Sequence, residues 1–235
     1  MAAAYSLRPR AWPLLLGAAA CAAAVALGNW QARRADEKRA LGAELDAALK
    51  APPLDLAPAS PARDYALKHV RARGAFVAAH TVFLDNRLRH GRPGFEVVTP
   101  LRLAGSDAHV MVDRGWMPSG PDRQAVPSVP TPAGEVQVDG LGVARLPHAL
   151  EAGAPSNGPV RQNLDLGAFA AQTGLRLVPV VIEQRSSAQD GLVREWPRPD
   201  VGIEKHESYS LQWYSLAALS AILGAVFAFR RVQPD

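Results

Sequence analysis

Two uncharged apolar stretches, one towards each end of the chain, constrain this protein more than any other feature. The first runs from Ala11 to Trp30 (AWPLLLGAAACAAAVALGNW) and the second from Leu211 to Phe229 (LQWYSLAALSAILGAVFAF). A helix needs about 20 apolar residues to cross a bilayer core, and each stretch is close to that length. Two crossings place both ends of the chain on one side of a membrane and everything between them on the other. The expected organisation is therefore a tail (1–10), a transmembrane helix (11–30), an extramembrane domain (31–208), a second transmembrane helix (209–229) and a second tail (230–235).

Each stretch has an alternative reading. Arg8 and Arg10 precede an apolar core followed by small residues, as in a cleaved signal peptide. Ala19-Ala20-Cys21 hints at lipoprotein processing, with Ala18 where a larger aliphatic residue is usual. Against both, the apolar run continues past Cys21 to Leu27 and ends at Trp30, an interfacial anchor. The second stretch would fit a buried core helix, but Trp213-Tyr214 at one end and Arg230-Arg231 at the other favour a span.

Charge gives an orientation. Arg8, Arg10, Arg230 and Arg231 favour cytoplasmic tails. Arg33, Arg34, Lys38 and Arg39 pull the other way, partly offset by Asp36 and Glu37. A long domain is translocated despite its charge, so the expectation is tails inside and domain outside.

The net charge of +4 is spread along the chain, which argues against a nucleic-acid partner and leaves contact with membrane lipid near the spans. With one cysteine, Cys21, the chain has no intrachain disulfide, Cys-rich zinc site or covalent c-type haem motif. None of the six histidines pairs with another at the helical metal-site spacing.

Between the spans, Leu41, Leu45 and Leu49 recur every four residues, so helix is expected to continue from Gln31 to Lys50. Pro52, Pro53, Pro58 and Pro61 stop it and form an extended linker near 51–63. Short strands follow around Thr81–Leu84, Phe95–Val98, His109–Asp113 and Glu135–Val138, with a turn at Gly91–Gly94. Proline-rich loops are expected at Pro118–Pro132 and Ala152–Pro159, a short helix at Asp165–Gln172 ending near Gly174, and a strand at Leu175–Glu183. Pro100 and Pro118 read as strand ends, and Pro179 as the mark of an edge strand. The expected fold class is a membrane protein with two transmembrane helices flanking an α+β domain, mainly antiparallel β, as a sheet or small barrel.

Chemistry concentrates at the outer ends of the two spans. Trp30, Arg34 and Lys38 are four apart, next to Gln31, and share a helix face. His206, Tyr209 and Trp213 have offsets of three and four and share another. An imidazole, aromatic rings and two cations at one membrane depth suit a flat, apolar, anionic-edged ligand such as haem, with His206 on the iron. Taken singly, the same residues are ordinary interfacial anchors and snorkelling cations. Arg87 and Arg114 have two equal readings: cations for propionates or a partner's carboxylates, or internal partners of Asp85 and Asp113. Gly115 reads as a turn or bulge position and Trp116 as core.

These features together resemble the surfeit locus protein 1 family. Gly28-x-Trp30-Gln31-x-x-Arg34-x-x-x-Lys38 looks like that family's signature at the end of the first span. Gly94-Phe-Glu-Val-Val-Thr-Pro100 and Val112-Asp-Arg-Gly-Trp-Met-Pro118 match its two strand motifs, followed by Gly142-x-x-Arg145 and Thr173-Gly174. His206-x-x-Tyr209-x-x-x-Trp213-Tyr214 matches the approach to its second span. The chain departs from the pattern at Glu204-Lys205, where Asn or Glu often precedes the histidine, and lacks a tryptophan near Asn163.

The resemblance implies an assembly factor for haem-copper cytochrome c oxidase that binds haem A transiently and aids its insertion into the catalytic subunit. It implies His206 as the haem-iron ligand, with Tyr209, Trp213, Trp30, Gln31, Arg34 and Lys38 as cofactor-binding residues. The implied partners are the oxidase subunit carrying haem a and haem A synthase. No transit-type presequence precedes the first span, which points to a bacterial inner membrane and a periplasmic domain. Two alternatives remain: a haem-independent chaperone of an oxidase intermediate, and a membrane-anchored periplasmic enzyme. The enzyme is disfavoured because Ser186 and Ser187 lack nucleophile-elbow glycines and Gly140-x-Gly142 lacks the third glycine of a phosphate loop.

Overall fold

The computed structural model describes residues 6–58, 64–120, 127–149, 156 and 158–232. Pro61 of the linker, parts of both proline-rich loops and the outermost tail residues lie outside the described residues. In chain order the elements begin with β1 (Ser6–Pro9), α1 (Ala11–Lys50), β2 (Leu54–Asp55), β3 (His69–Phe76), β4 (Val82–Arg89) and β5 (Arg92–Leu103). They continue with β6 (Ala108–Pro118), β7 (Glu135–Val143), β8 (Val160–Arg161), α2 (Leu166–Thr173), β9 (Arg176–Gln184), α3 (Ile203–Ala228) and β10 (Phe229–Val232). The chain divides into two compact units, Met1–Glu44 with Pro197–Asp235, and Leu45–Trp196.

The first unit is an antiparallel pair of helices. Both α1 and α3 are long and apolar enough to cross a membrane, and α1 carries on unbroken through the polar sequence after Trp30. On α1 the buried positions include Pro13, Gly17, Ala24, Gly28, Ala35 and Gly42, in steps of four and seven. On α3 they are Ser210, Ala217, Gly224 and Ala228. This is a seam of small residues, which lets two helix backbones approach closely where lipid supplies no hydrophobic drive. Gly17 and Gly224 meet backbone to backbone: a Cβ on Gly17 would lie 2.8 Å from the Gly224 Cα. Leucines on the outward faces, such as Leu15 and Leu219, stay exposed, as suits a lipid-facing surface. Beyond the helices, β1 and β10 pair antiparallel, from Ser6 opposite Val232 to Pro9 opposite Phe229.

The second unit is built on an eight-stranded sheet in the order β2-β3-β7-β9-β6-β5-β4-β8. It closes on itself because β5 also pairs with β3, Gly74 opposite Leu103 and Phe76 opposite Leu101. The ring is therefore a five-stranded barrel of β3, β7, β9, β6 and β5. Alternate residues of these strands fill it: Val70 and Ala72, Leu101 and Leu103, Val110 and Val112, Val138, and Val178, Val180 and Ile182. The opposite faces of β4, β5, β6 and β9 supply Leu84, Val98, Met111 and Val181 to a second cluster with Phe169 of α2. That helix is capped as its sequence suggests, with the Asp165 carboxylate accepting from the Ala168 N–H at 2.7 Å and Gly174 left-handed at its end.

Three expectations need correction. The sheet is mixed rather than mainly antiparallel: β2/β3, β4/β8 and β6/β9 are parallel pairs. Successive side chains point to opposite faces in both arrangements, so the period of two does not report strand direction. Pro179 lies in a central strand between β7 and β6, not at an edge. It is tolerated because the β6–β9 register jumps there, from His109 opposite Leu177 to Met111 opposite Val181. Pro100 lies inside β5, where that strand passes from its pairing with β4 (Val98 opposite Val82) to its pairing with β3 (Leu101 opposite Phe76). Its missing N–H falls in the gap between partners, while its carbonyl still accepts from Val77 N at 2.8 Å.

Candidate functional site

Where the apolar stretches end, the seam of the helix pair turns polar. His206 Nδ1 lies 2.7 Å from Gln31 Oε1, joining α3 to α1. One turn away the Ser210 hydroxyl donates to the Gly28 carbonyl at 3.1 Å, and the Tyr214 hydroxyl lies 2.8 Å from Asn29 Oδ1. Towards the polar end of the pair, Arg39 bonds Glu207 and Asp36, and the Lys38 ammonium donates to the Val201 carbonyl at 2.8 Å. Asn29, Ser210 and the Arg39–Glu207 pair carried no signal at the level of sequence. Their partners are more than 160 positions away.

Helical geometry divides these residues between two flanks. Side chains advance by about 100° per residue around each axis. The Asn29–Tyr214 and Arg39–Glu207 pairs mark one flank, since each joins residues on the same side of both helices. On α1, Trp30 and Arg34 lie on the other side of the seam from Asn29 and Arg39. On α3, Tyr209 and Trp213 lie on the other side from Glu207 and Tyr214. The first flank carries these pairs, with a groove between them lined by Ala35, Asp36, Arg39, Glu207 and Tyr214, and the second carries the aromatic residues. Trp30 is 48% exposed and Tyr209 51%, with Trp213 half-buried against the seam.

Of the seven residues expected at the site, His206 and Gln31 meet directly, and Trp30, Arg34, Tyr209 and Trp213 share the second flank. Arg34 is exposed and holds Glu37 at 2.7 Å, a surface pair that exchanges readily for another anion. Lys38 is committed to a backbone carbonyl and leans into the seam, so it is the weakest member. The donor set fits a haem: one imidazole with its Nδ1 already engaged, exposed aromatic faces, a cation, and an apolar helix surface for the macrocycle. Among the described residues there is no group of three or more His, Cys, Asp or Glu side chains that could hold a bare metal ion.

In the barrel unit Arg87 and Arg114 are buried, and their carboxylate partners are neither Asp85 nor Asp113. Arg87 Nε lies 3.0 Å from Glu96, and its guanidinium donates to the Pro147 and Gln162 carbonyls. Arg114, 1% exposed, bonds Asp190 at 3.1 Å and the Pro130 carbonyl at 2.6 Å, with its guanidinium 5.0 Å from the Phe76 ring centre. Both arginines are internal fasteners here. Asp113 points elsewhere, into a row with Glu96 and Glu183 on neighbouring strands. Burial, followed by those two like charges, pushes its carboxyl well above the usual range, and burial does the same more mildly to Glu183. Gly115 is a bulge position, with φ +137° where the β5–β6 register shifts, and Trp116 is core, its indole N–H donating to the Arg87 carbonyl at 2.8 Å.

Comparison with known proteins covers both units. Surfeit locus protein 1 of Mus musculus is 30% identical over 223 residues, 86% of this chain and 71% of its own length. The human protein of the same name is 28% identical over 222 residues, 85% of this chain and 72% of its own. A SURF1-like protein of Drosophila melanogaster is 29% identical over 248 residues, 92% of this chain and 77% of its own. The sequence model of the SURF1 family matches residues 18–218, from inside the first apolar stretch, through the barrel, into the second. The chain belongs to the SURF1 family.

Proposed function

We propose that this chain is an assembly factor for haem-copper cytochrome c oxidase that takes haem A on the aromatic flank of its helix pair and passes it to the catalytic subunit. Membership of the SURF1 family supports the oxidase role. The observation that carries the haem role is the convergence of His206, Trp30, Tyr209, Trp213 and Arg34 on one side of the seam, at the end of the apolar stretches. His206 would hold the iron through Nε2, Trp30 and Tyr209 would hold the ring system, and Arg34, now paired with Glu37, would hold a propionate. The bound cofactor supplies only its own redox chemistry, for use after transfer. The chain's part is to hold it at the depth where the receiving subunit lies in the membrane. The spans sit in the inner membrane, tails in the cytoplasm and barrel in the periplasm, as the charges of Arg8, Arg10, Arg230 and Arg231 favour.

The test is the visible absorption spectrum of detergent-purified protein from cells that make haem A, wild type beside His206→Ala. The expected result is a haem spectrum in the wild type and its loss in the variant, at equal yield of folded protein. A colourless wild type from haem-A-replete cells would overturn the haem role. Co-purification of an oxidase subunit with that colourless protein would leave a haem-independent chaperone.

A further inference from the structure

Which imidazole nitrogen can bind iron depends on what the other nitrogen is doing. An amide oxygen only accepts hydrogen bonds, so at 2.7 Å from Gln31 Oε1 the His206 Nδ1 carries the proton and the lone pair rests on Nε2. A histidine ring free in water favours the opposite form, with the proton on Nε2. The contact across the seam therefore selects the less common tautomer. It also restrains the ring's rotation, and one turn before Gln31 the Gly28 carbonyl accepts from Ser210, one turn after His206, which ties the two helices together beside it. Two successive rungs thus hold α1 and α3 in one register around the ring.

Resting on the haem reading above, we propose that Gln31 is the positioning residue of His206. It holds the Nδ1–H so that Nε2 is presented to the iron, and it makes no contact with the iron itself. This is the arrangement by which a carbonyl or carboxylate behind a ligating histidine sets its tautomer and raises its basicity. It departs from a grouping of Gln31 with the residues that touch the cofactor.

The test uses the full chain in detergent, labelled with ¹⁵N-histidine and free of haem. Long-range ¹H–¹⁵N correlation reads which nitrogen carries the proton, and His206→Ala assigns the signal. Haem A titration of the same samples gives the affinity. In the wild type the proton is expected on Nδ1. Gln31→Leu is expected to move it to Nε2 and weaken haem A binding by about 10–100-fold. Gln31→Glu, which keeps an acceptor in place, retains both tautomer and affinity, and remains informative if the leucine variant fails to fold.

A wild-type ring protonated on Nε2 would mean the amide is turned over and would overturn the proposal. So would a Gln31→Leu protein with unchanged tautomer, or one whose tautomer changes while haem affinity does not. If the wild type shows the Nδ1 proton and takes up no haem A, the haem reading itself has failed and the ligand role of the pair goes with it.

Discussion

Asp113 sits fully buried on β6 with Glu96 on one neighbouring strand and Glu183 on the other. The folded protein therefore holds a proton on Asp113 that an unfolded chain releases near the ordinary carboxylate value of 3.8. More protons are bound folded than unfolded over that interval, so stability falls as pH rises from 3.8 through the raised value. Asp113→Asn, which keeps the shape and removes the titration, should flatten this decline while leaving acid stability close to wild type. Urea denaturation of the protein across the pH range measures both, and an unchanged slope would show that Asp113 is not the group. Glu183 leaves a smaller slope of the same sign. Gly115 offers a second test: φ is +137° and a Cβ would lie 2.8 Å from the Val193 carbonyl. Gly115→Ala should lower stability by at least about 1–3 kcal/mol, measured by the same titration. The motif around Asp113 is visible in the sequence, but its row of carboxylates is not, because Glu96 and Glu183 come from strands distant along the chain.

At the scale of elements, the helix pair brings residue 31 against residue 206. Its seam depends on small residues, and the Gly17–Gly224 contact has no room for a side chain. Gly224→Leu should separate α1 from α3, seen as faster amide hydrogen exchange along both helices in detergent, with protection of the β5 and β6 amides unchanged. If exchange on the helices does not rise, close packing at that point is not what holds the pair. The tyrosine rung is weaker: removing the Tyr214–Asn29 bond by Tyr214→Phe should cost about 0.6 kcal/mol, the average for hydrogen bonds between membrane helices. A double-mutant cycle with Asn29→Ala isolates it. The length and apolarity of both helices, the cap of α2 at Asp165 and most strand positions were legible from local pattern. Pro179 and Pro100 were misread for one reason: the cost of a proline in a strand depends on which neighbour needs its N–H, and that neighbour is chosen elsewhere in the fold.

For the whole molecule, the chain divides into two compact units. Every residue of the candidate haem site lies within Met1–Glu44 and Pro197–Asp235, while the barrel lies within Leu45–Trp196. Residues 45–196 expressed alone should therefore fold, giving a β-type circular dichroism spectrum and one cooperative unfolding transition, and should take up no haem A. Haem bound by that fragment with an affinity near that of the full chain would place the site in the barrel and defeat the assignment.

The amino-acid sequence alone determined the two long apolar helices, the helix and strand types between them and the family, since each is written in hydropathy, periodicity or residues read in order along the chain. It also grouped Trp30, Arg34 and Lys38 on one helix face and His206, Tyr209 and Trp213 on another. Only the tertiary structure decided that β5 returns to β3 and closes a barrel, that β6 and β9 run parallel, and that Arg87 and Arg114 serve Glu96 and Asp190. It also decided that His206 meets Gln31 and that the Asn29–Tyr214 and Arg39–Glu207 pairs fall on one flank of the helix pair. The reason is physical: composition and periodicity act over one or two turns, whereas partners of strands, charges and helix faces are chosen between segments far apart in sequence, by whichever packing buries them together.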